Sequence, residues 1–250
     1  QELATNQVPG AALAVLCEGR LAWSQAWGEI RRGWGQPVTP ETRFQLASVT
    51  KMFTAATALS LVEEGVVDLQ TPLDTYVPYA AVEAPWGVPV DLHTLLSHTA
   101  GYPTWFPDGD FSSYVLADYF ANNGAQPLWS PPGVLFNYSN LGVSLAGLAL
   151  EEAASRPFAD LVEEHVFEPA GMVGARLDAA AVESEGGYAW GHTGLVAAPS
   201  VLGPSSAYFP TGYYGPMGGA WASVEDLATW GEVLLSDGGG VLSPKNAASL

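Results

Sequence analysis

The first hydrophobic pattern along the chain is a pair of short apolar runs near the N-terminus. The segment GAALAVLCEGRLAWSQAWGEI has an Ala/Val/Leu-rich run before the letters EGR and a Trp-bearing run after them. Two such runs around a short turn that contains glycine are typical of a β-hairpin. The pattern therefore predicts two antiparallel strands that belong to a sheet.

A helical period replaces the strand pattern over residues 48–64. Apolar side chains recur there at spacings of three and four, and Gly65 stands where a helix commonly ends. The recurring apolar residues are Met52, Phe53, Ala56, Leu59 and Val62. This predicts one helix that starts close to Ser48.

The same spacing of apolar residues, three and four apart, predicts further helices later in the chain. Residues 180–220 are rich in Gly, Pro and Tyr and predict loops with short strands. A last helix is predicted after Ser223, which with Asp226 fits a capping box, and Gly238 is a candidate stop. The helical segments are DLHTLLSHTAGYP, residues 111–123, LGVSLAGLALEEAASRP, FADLVEEHVFEPAGM and SVEDLATWGEVLLSDGGG.

The order of the predicted elements favours an α+β fold. Strands come first and helices follow, without the βαβ alternation of a doubly wound sheet. The sequence suggests an N-terminal part of the sheet domain with the first helix (1–65), a mainly helical region (66–180), and loops and a helix that return to the sheet domain (181–250). The hairpin needs sheet partners, yet the last thirty residues predict helix and loop.

The composition limits the kinds of binding partner and site that are expected. The 250 residues are 48% hydrophobic, which is ample for a packed core. A net charge of −18 repels nucleic acid and anionic membranes, so neither is expected as a partner. No apolar run approaches the roughly 18 residues that span a bilayer. Cys17 is the only cysteine, and the acidic residues lack metal-ligand spacing, so no disulfide and no metal site are expected.

Ser48 and Lys51 are the first candidates for chemistry, since Lys51 is one of only two lysines. Residues three apart on a helix share a face, which brings the two side chains within hydrogen-bonding range. A serine needs an adjacent base to become a nucleophile, and a lysine whose pKa is lowered by burial or a helix dipole can be that base. The pattern equally fits a lysine that extends from a helix end into water.

The segment FNYSN supplies a second pair, Tyr138 and Asn140, just before an apolar helix. In extended backbone, residues two apart point to the same side. Tyr can act as a general acid or base, and Asn can bind a substrate carbonyl and orient Lys51. The alternative is a surface loop in which Asn140 only caps the helix.

Ser-x-x-Lys followed about ninety residues later by Tyr-x-Asn resembles the serine β-lactamase and penicillin-binding-protein superfamily, in its class C and related esterase branch. The resemblance covers most of the chain. The segments that carry it are FQLASVTKMFTAATALSLVEEGVVDLQTPLDTYVP, LLSHTAGYP, PPGVLFNYSNLGVSLAGLALE, GYAWGH and GGAWASVEDLATW.

The resemblance implies a role for each residue. Ser48 would be the acylated nucleophile, Lys51 its proton partner, Tyr138 a general base and acid, and Asn140 a substrate-positioning residue. The implied reaction is acyl transfer through a serine ester and then hydrolysis, on a β-lactam, an ester or a D-amino-acid amide or peptide, with no cofactor. The resemblance also implies an antiparallel sheet flanked by helices with an inserted all-helical region, and export to the periplasm or medium. The lone cysteine is compatible with either side of the membrane.

A third family element, Lys or His, a variable residue and Gly, should lie on a strand beside the cleft. The letters HTG at 192–194 match it, but they lie in a stretch similar to a part of the family remote from that strand, and Lys245 lacks a following Thr-Gly. We therefore expect this element beyond residue 250. The C-terminal strands would then come from a second polypeptide, a cleaved segment or further residues.

Aromatic residues after SHTAG are candidates for an acyl pocket, although most such clusters belong to a core. These residues are Tyr102, Trp105 and Phe106, and weaker candidates in a Gly/Pro-rich loop are Tyr208, Tyr213 and Tyr214. His98 is expected to be a structural histidine that is hydrogen-bonded in a turn.

The leading interpretation is an active serine hydrolase acting on a small-molecule or peptide substrate. The alternatives are a penicillin-binding receptor that deacylates slowly and a non-catalytic pseudoenzyme or partner-binding domain, which the missing third element keeps open. The choice among acyl substrates depends on pocket shape and on access of water, which the sequence does not specify.

Overall fold

In a computed structural model, the protein is described over residues 2–6, 8–80, 86–104, 115–123, 127–193, 200–202 and 212–250. The strands are β1 (Gly10–Cys17), β2 (Arg20–Gly28), β3 (Phe44–Gln45), β4 (Gly191–Thr193), β5 (Ser200–Leu202) and β6 (Trp221–Ala222). The α-helices are α1 (Glu2–Thr5), α2 (Thr50–Glu63), α3 (Leu92–Leu96), α4 (Leu116–Asn123), α5 (Asn140–Ala154), α6 (Phe158–Val162), α7 (Glu168–Ala170), α8 (Ala179–Glu185), α9 (Gly215–Gly218), α10 (Val224–Leu235) and α11 (Pro244–Ala247). Short 3-10 helices cover Ala47–Val49, Leu73–Thr75, Pro78–Ala80 and Gly212–Tyr214, and a π-helical turn, Glu163–Phe167, joins α6 to α7.

The chain forms two compact units, each built from separate stretches of sequence. The sheet unit comprises residues 1–46, 163–210 and 219–249, and the helical unit comprises 47–162, 211–218 and residue 250. Every described strand lies in the sheet unit, where the antiparallel ladders are β1–β2, β3–β6 and β4–β5. Helices dominate the other unit, which agrees with the predicted α+β class.

β1 and β2 form the predicted hairpin. Gly10 lies opposite Gly28 and Cys17 opposite Arg20. The turn residues Glu18 and Gly19 have φ angles of 51° and 74°. A two-residue turn with two positive φ angles matches the right-handed twist of the strands, and glycine adopts this conformation without steric strain.

α10 packs on this hairpin within the sheet unit. Its first turn carries the predicted capping box: the Ser223 hydroxyl oxygen accepts the Asp226 N–H at 3.0 Å, and the Asp226 carboxylate accepts the Ser223 N–H at 2.9 Å. Further along α10, Glu232 accepts the N–H of Leu21 in β2 at 2.8 Å. The capping residues read from the sequence therefore set where α10 begins.

The core of the helical unit consists of α2 and α5. α5 is buried at every position from Asn140 to Leu150, and α2 is buried at most positions between Thr50 and Leu61. A helix that is apolar around its whole circumference can pack neighbours on all sides. α5 accordingly contacts α2, α3 and α9.

The prediction for residues 180–220 was wrong at its start, where the structure has the helix α8. Asp178 accepts the N–H of Ala180 at 2.8 Å, and Val182 is fully buried. Alanine has the highest helix propensity, and an N-cap aspartate satisfies a free N–H of the first turn. The later Gly/Pro/Tyr-rich composition concealed this short helix.

The compact units differ in extent from the sequence-based segments. The helical unit begins at Ala47, whereas the sequence-based division grouped residues 1–65 with the sheet. The units are defined by how compact they are in space, and this does not test the sequence-based division into continuous segments. The boundaries 1–65, 66–180 and 181–250 therefore stay a prediction.

Candidate active site

Ser48 lies in the 3-10 helix Ala47–Val49, which leads directly into α2. Its side chain is exposed. Ala47 has a φ of 47°, in the left-handed region that non-glycine residues rarely adopt. Strained backbone of this kind is common at functional sites, and here it immediately precedes the predicted nucleophile. In the first turn of a helix, the N–H groups have no intrahelical acceptor, which suits an oxyanion site.

Lys51, the second residue of α2, directs its amine to Ser48. The Nζ atom lies 3.2 Å from Ser48 Oγ and donates a hydrogen bond of 2.6 Å to the backbone oxygen of Met217 in α9. The same Nζ lies 5.0 Å from the centroid of the Tyr138 ring. The structure thus brings together the three residues that the sequence assigns to proton transfer, and it adds a backbone acceptor.

Burial is the main influence on the charge of Lys51. It lowers the pKa of Lys51 below the ordinary value of 10.5, while the Tyr138 hydroxyl acts in the opposite direction by hydrogen bonding and by its charge. A neutral amine keeps two N–H donors and gains a lone pair that can accept a proton. With one N–H bound to Met217, that lone pair can face Ser48.

Tyr138 lies in a loop that runs beside residues 98–104. The N–H of Asn137 donates to the backbone oxygen of His98 at 2.8 Å, and the Thr104 hydroxyl donates to the backbone oxygen of Tyr138 at 2.7 Å. These bonds hold the backbone on both sides of the phenol. The phenol itself is 38% exposed, so it remains accessible from solvent.

His98 supports Tyr138 from the neighbouring turn. Its φ is 59°, its Nδ1 accepts the N–H of Ser139 at 3.2 Å, and its ring centroid lies 4.6 Å from that of Tyr138. Burial, and then the charge of Lys51, lower the pKa of His98. The bond agrees with the prediction of a hydrogen-bonded turn histidine, and the ring contact with Tyr138 is an addition to it.

Asn140 is the first residue of α5, but it is not the cap. The Ser139 hydroxyl oxygen accepts the N–H of Gly142 at 2.8 Å, so the alternative in which Asn140 only caps the helix is wrong. Asn140 is 8% exposed, and among the described residues its side-chain amide makes no hydrogen bond. A buried amide without a partner is unfavourable, and a bound carbonyl group would satisfy it. The structure therefore has no hydrogen bond between the Asn140 amide and Lys51, which are both described, and a role of Asn140 in orienting the lysine stays a prediction.

Comparison with known proteins identifies the family of this chain. The family model described as Beta-lactamase matches residues 1–250. The chain belongs to the Beta-lactamase family. A β-lactamase from Yersinia enterocolitica is 30% identical over 190 residues, which cover 74% of this chain and 46% of that protein. Esterase EstB from Burkholderia gladioli is 30% identical over 188 residues, which cover 69% of this chain and 48% of the esterase.

Solved structures share the fold of this family member. The octameric penicillin-binding protein homologue from Pyrococcus abyssi has a TM-score of 0.82 at 24% identity, over 99% of this chain and 57% of that chain. At this identity the likeness shows the fold alone. The chain spans about half the length of the curated relatives it matches.

The predicted aromatic pocket is only partly described in this Beta-lactamase family chain. Tyr102 is 2% exposed and belongs to the core of the helical unit, so its contact with a substrate stays a prediction. Tyr213 stacks on Tyr119 with ring centroids 4.3 Å apart. Trp105, Phe106 and Tyr208 lie outside the described residues.

Sequence reasoning missed Met217, the acceptor for Lys51, because a backbone carbonyl leaves no signal in the side-chain pattern. His192, which was rejected as part of the third element, lies in β4 of the sheet unit, where its Nε2 accepts the N–H of Arg32 at 3.3 Å. Gly194 lies outside the described residues.

Within the described ranges, His, Cys, Asp and Glu side chains form no group of three or more that could hold a metal ion. None of the helices in that part of the chain has both the length and the apolar character needed to cross a membrane.

Proposed function

We propose that this chain carries the acylation site of a serine hydrolase of the β-lactamase, penicillin-binding-protein and esterase type, with Ser48 as nucleophile. The supporting observation is the position of the Lys51 amine, 3.2 Å from Ser48 Oγ and anchored by Met217. The relatives point to the same chemistry, since their names include β-lactamase, esterase, carboxypeptidase and D-aminopeptidase.

The proposed reaction has two stages. The Ser48 hydroxyl gives its proton to the neutral Lys51 amine as Oγ bonds to the substrate carbonyl carbon. The tetrahedral intermediate collapses, the bond to the leaving nitrogen or oxygen breaks, and the proton passes through Tyr138 to the leaving group. Water then gives a proton to the same groups as its oxygen bonds to the acyl carbon. The bond between that carbon and Ser48 Oγ breaks, Oγ takes the proton back, and the carboxylic acid leaves.

The substrate class belongs to the proposal as well. A β-lactam, an ester and a D-amino-acid amide or peptide all present a carbonyl that Asn140 could bind and Ser48 could attack. Among the described residues, the ionisable side chains next to Ser48 are Lys51, Tyr138 and His98. Export to the periplasm or medium also stays a proposal, which cell fractionation would test.

Covalent labelling tests this proposal. The whole protein that carries this sequence is incubated with a fluorescent penicillin and, separately, with nitrocefin and a p-nitrophenyl ester. We expect turnover or a persistent label that Ser48→Ala abolishes and that Ser60→Ala, on the same helix and buried, retains. A persistent label without turnover would indicate the slowly deacylating receptor. Label or turnover that survives in Ser48→Ala would contradict the proposal.

Lysine variants test the proton transfer. We expect Lys51→Ala and Tyr138→Phe each to lower the rate on the order of 100-fold or more, as for other proton-transfer groups. Lys51→Arg keeps the charge but cannot act as a base, because arginine stays protonated. If Lys51→Arg retained a near-normal rate, the lysine would act as a charge and the assigned role would be wrong.

A further inference from the structure

Two adjacent backbone carbonyls of α9 bind two side chains of α2. Pro216 O accepts the Thr54 hydroxyl at 2.6 Å, and Met217 O accepts the Lys51 amine at 2.6 Å. Lys51 and Thr54 are three residues apart and therefore share one face of α2. Thr54 thus binds the Pro216–Met217 peptide, and Lys51 binds the oxygen of the peptide that directly follows it.

This part of α9 lies in buried surroundings. Thr54 has no exposed surface, and every residue of α9 is buried. α5 also approaches Pro216 so closely that a Cβ at Gly147 would lie 2.3 Å from its Cγ. The Thr54 hydroxyl is a polar anchor of this buried peptide.

We propose that Thr54 is a positioning residue for Lys51, which it serves by fixing the Pro216–Met217 peptide. Met217 O then holds one N–H of the amine and leaves the lone pair directed at Ser48. This inference rests on the proposed function of Ser48 and Lys51. It extends the site to a residue that the Ser-x-x-Lys and Tyr-x-Asn motifs do not include.

The physical consequence of losing the hydroxyl follows from the burial. Without Thr54, Pro216 O is an unsatisfied buried acceptor, which is unfavourable enough to shift the peptide. Met217 O then moves away from Lys51. A hydrogen-bond acceptor stabilises an ammonium more than a neutral amine. When Met217 O moves away, the pKa of Lys51 therefore falls further. The amine also loses the bond that orients it.

Thr54→Val is the test, since it removes the hydroxyl and keeps the shape. Thr57→Val is the matched control: Thr57 is equally buried on α2, but its hydroxyl donates to the backbone of its own helix, Phe53 O, at 2.9 Å. Thr54→Ser restores the hydroxyl. All variants are made in the whole protein, and kcat, KM and the pH profile of kcat/KM are measured on a substrate that the wild type turns over.

We expect Thr54→Val to lower kcat about tenfold with little change in KM and to shift the acid limb of kcat/KM to lower pH. Thr54→Ser should return both quantities towards the wild type, and Thr57→Val should leave the limb in place. Equal loss in both valine variants without a shift of the limb would overturn the inference, because that pattern indicates a merely structural role.

A second readout does not depend on turnover. Lys245 is the only other lysine of this chain and is exposed, so in [13C]lysine-labelled whole protein the signal of Lys51 is assigned as the one that Lys51→Arg removes. We expect the titration midpoint of Lys51 to fall in Thr54→Val and to stay constant in Thr57→Val. An unchanged midpoint would overturn the inference even if the wild type had no activity, whereas a shifted midpoint without any acylation of Ser48 would contradict only the proposed function.

Discussion

At the scale of single residues, the chemistry depends on how often Lys51 is neutral. With the ordinary pKa of 10.5, only about one amine in 3,000 would be neutral at pH 7. Each unit by which the pKa falls raises that fraction tenfold and corresponds to about 1.4 kcal/mol. Burial supplies this shift and Tyr138 opposes it, while Met217 O holds one N–H of the amine.

His98 provides a prediction about pH. Its Nδ1 accepts the Ser139 N–H, so protonation at Nδ1 would remove the acceptor next to Tyr138. Because burial and the Lys51 charge lower the pKa of His98, this happens below the ordinary histidine range. We expect log(kcat/KM) of the wild type to fall with a slope of about one while Lys51 alone is protonated and of about two at lower pH, where His98 is protonated as well.

His98→Asn isolates this effect. The Asn Oδ1 can take the place of Nδ1, and asparagine tolerates the positive φ of this position, but it does not titrate. The variant should keep a slope of about one to lower pH, whereas His98→Ala, which lacks the acceptor, should lose activity at every pH. A slope of two in His98→Asn would show that another group is responsible.

At the scale of secondary-structure elements, Gly147 permits the close packing of α5 against α9. Alanine in a helix is intrinsically better than glycine by about 1 kcal/mol. A Cβ at 147, however, would lie 2.3 Å from Pro216, and overpacking costs about 1–3 kcal/mol. We expect Gly147→Ala to lower both the free energy of unfolding and kcat, as measured by urea denaturation and steady-state kinetics.

Gly142→Ala in the same helix is the comparison for this prediction. Its Cβ would meet the side chain of Ser139 at 3.3 Å and that of Leu95 at 3.6 Å, which small adjustments can accommodate. The loss of stability should therefore be clearly smaller than at Gly147. Similar losses in both variants would contradict the packing argument.

Elements with strong local signals could be predicted from the sequence. The hairpin followed from its apolar runs and turn, and the start of α10 followed from Ser223 and Asp226, whose bonds join residues three apart. α8 was missed because its signal is short. Long-range contacts left no signal at all: Arg43 donates to the backbone of Gly174, 131 residues away, at 2.6 Å.

The candidate site also contains residues that the sequence could predict and a group that it could not. Ser48, Lys51, Tyr138 and Asn140 stand in motifs with fixed spacing, so the sequence could name them. The backbone acceptor on Met217 could not be named, since every residue carries a carbonyl and only the fold decides which one meets an amine. The role proposed for Thr54 depends on the neighbouring backbone carbonyl, that of Pro216.

At the scale of the whole molecule, charge repulsion opposes compactness. The chain has 26 acidic and 8 basic residues, and two of the arginines, Arg43 and Arg176, share the carboxylate of Glu185. At 0.1 M, salt largely screens the repulsion between exposed charges that lie more than about 10 Å apart. We expect Tm at pH 7 to rise by about 2–4 °C between low salt and about 0.3 M NaCl, which corresponds to about 1 kcal/mol in a chain of this size.

Measurements at a lower pH supply the control for this prediction. Nearer the isoelectric point of about 4.2, the net charge is small and there is little repulsion to screen. The rise in Tm with salt should therefore shrink as the pH is lowered towards 5. An equal rise at both pH values would point to a general effect of salt on hydrophobic burial instead.

The helical unit contains Ser48, Lys51, Tyr138 and Met217 together. The residues of the proposed proton relay therefore all belong to one compact unit, although residues 47–162 and 211–218 that form it are separated in the chain. A deletion within 47–162 or 211–218 would consequently disrupt the proposed relay, whichever of the two segments it removed.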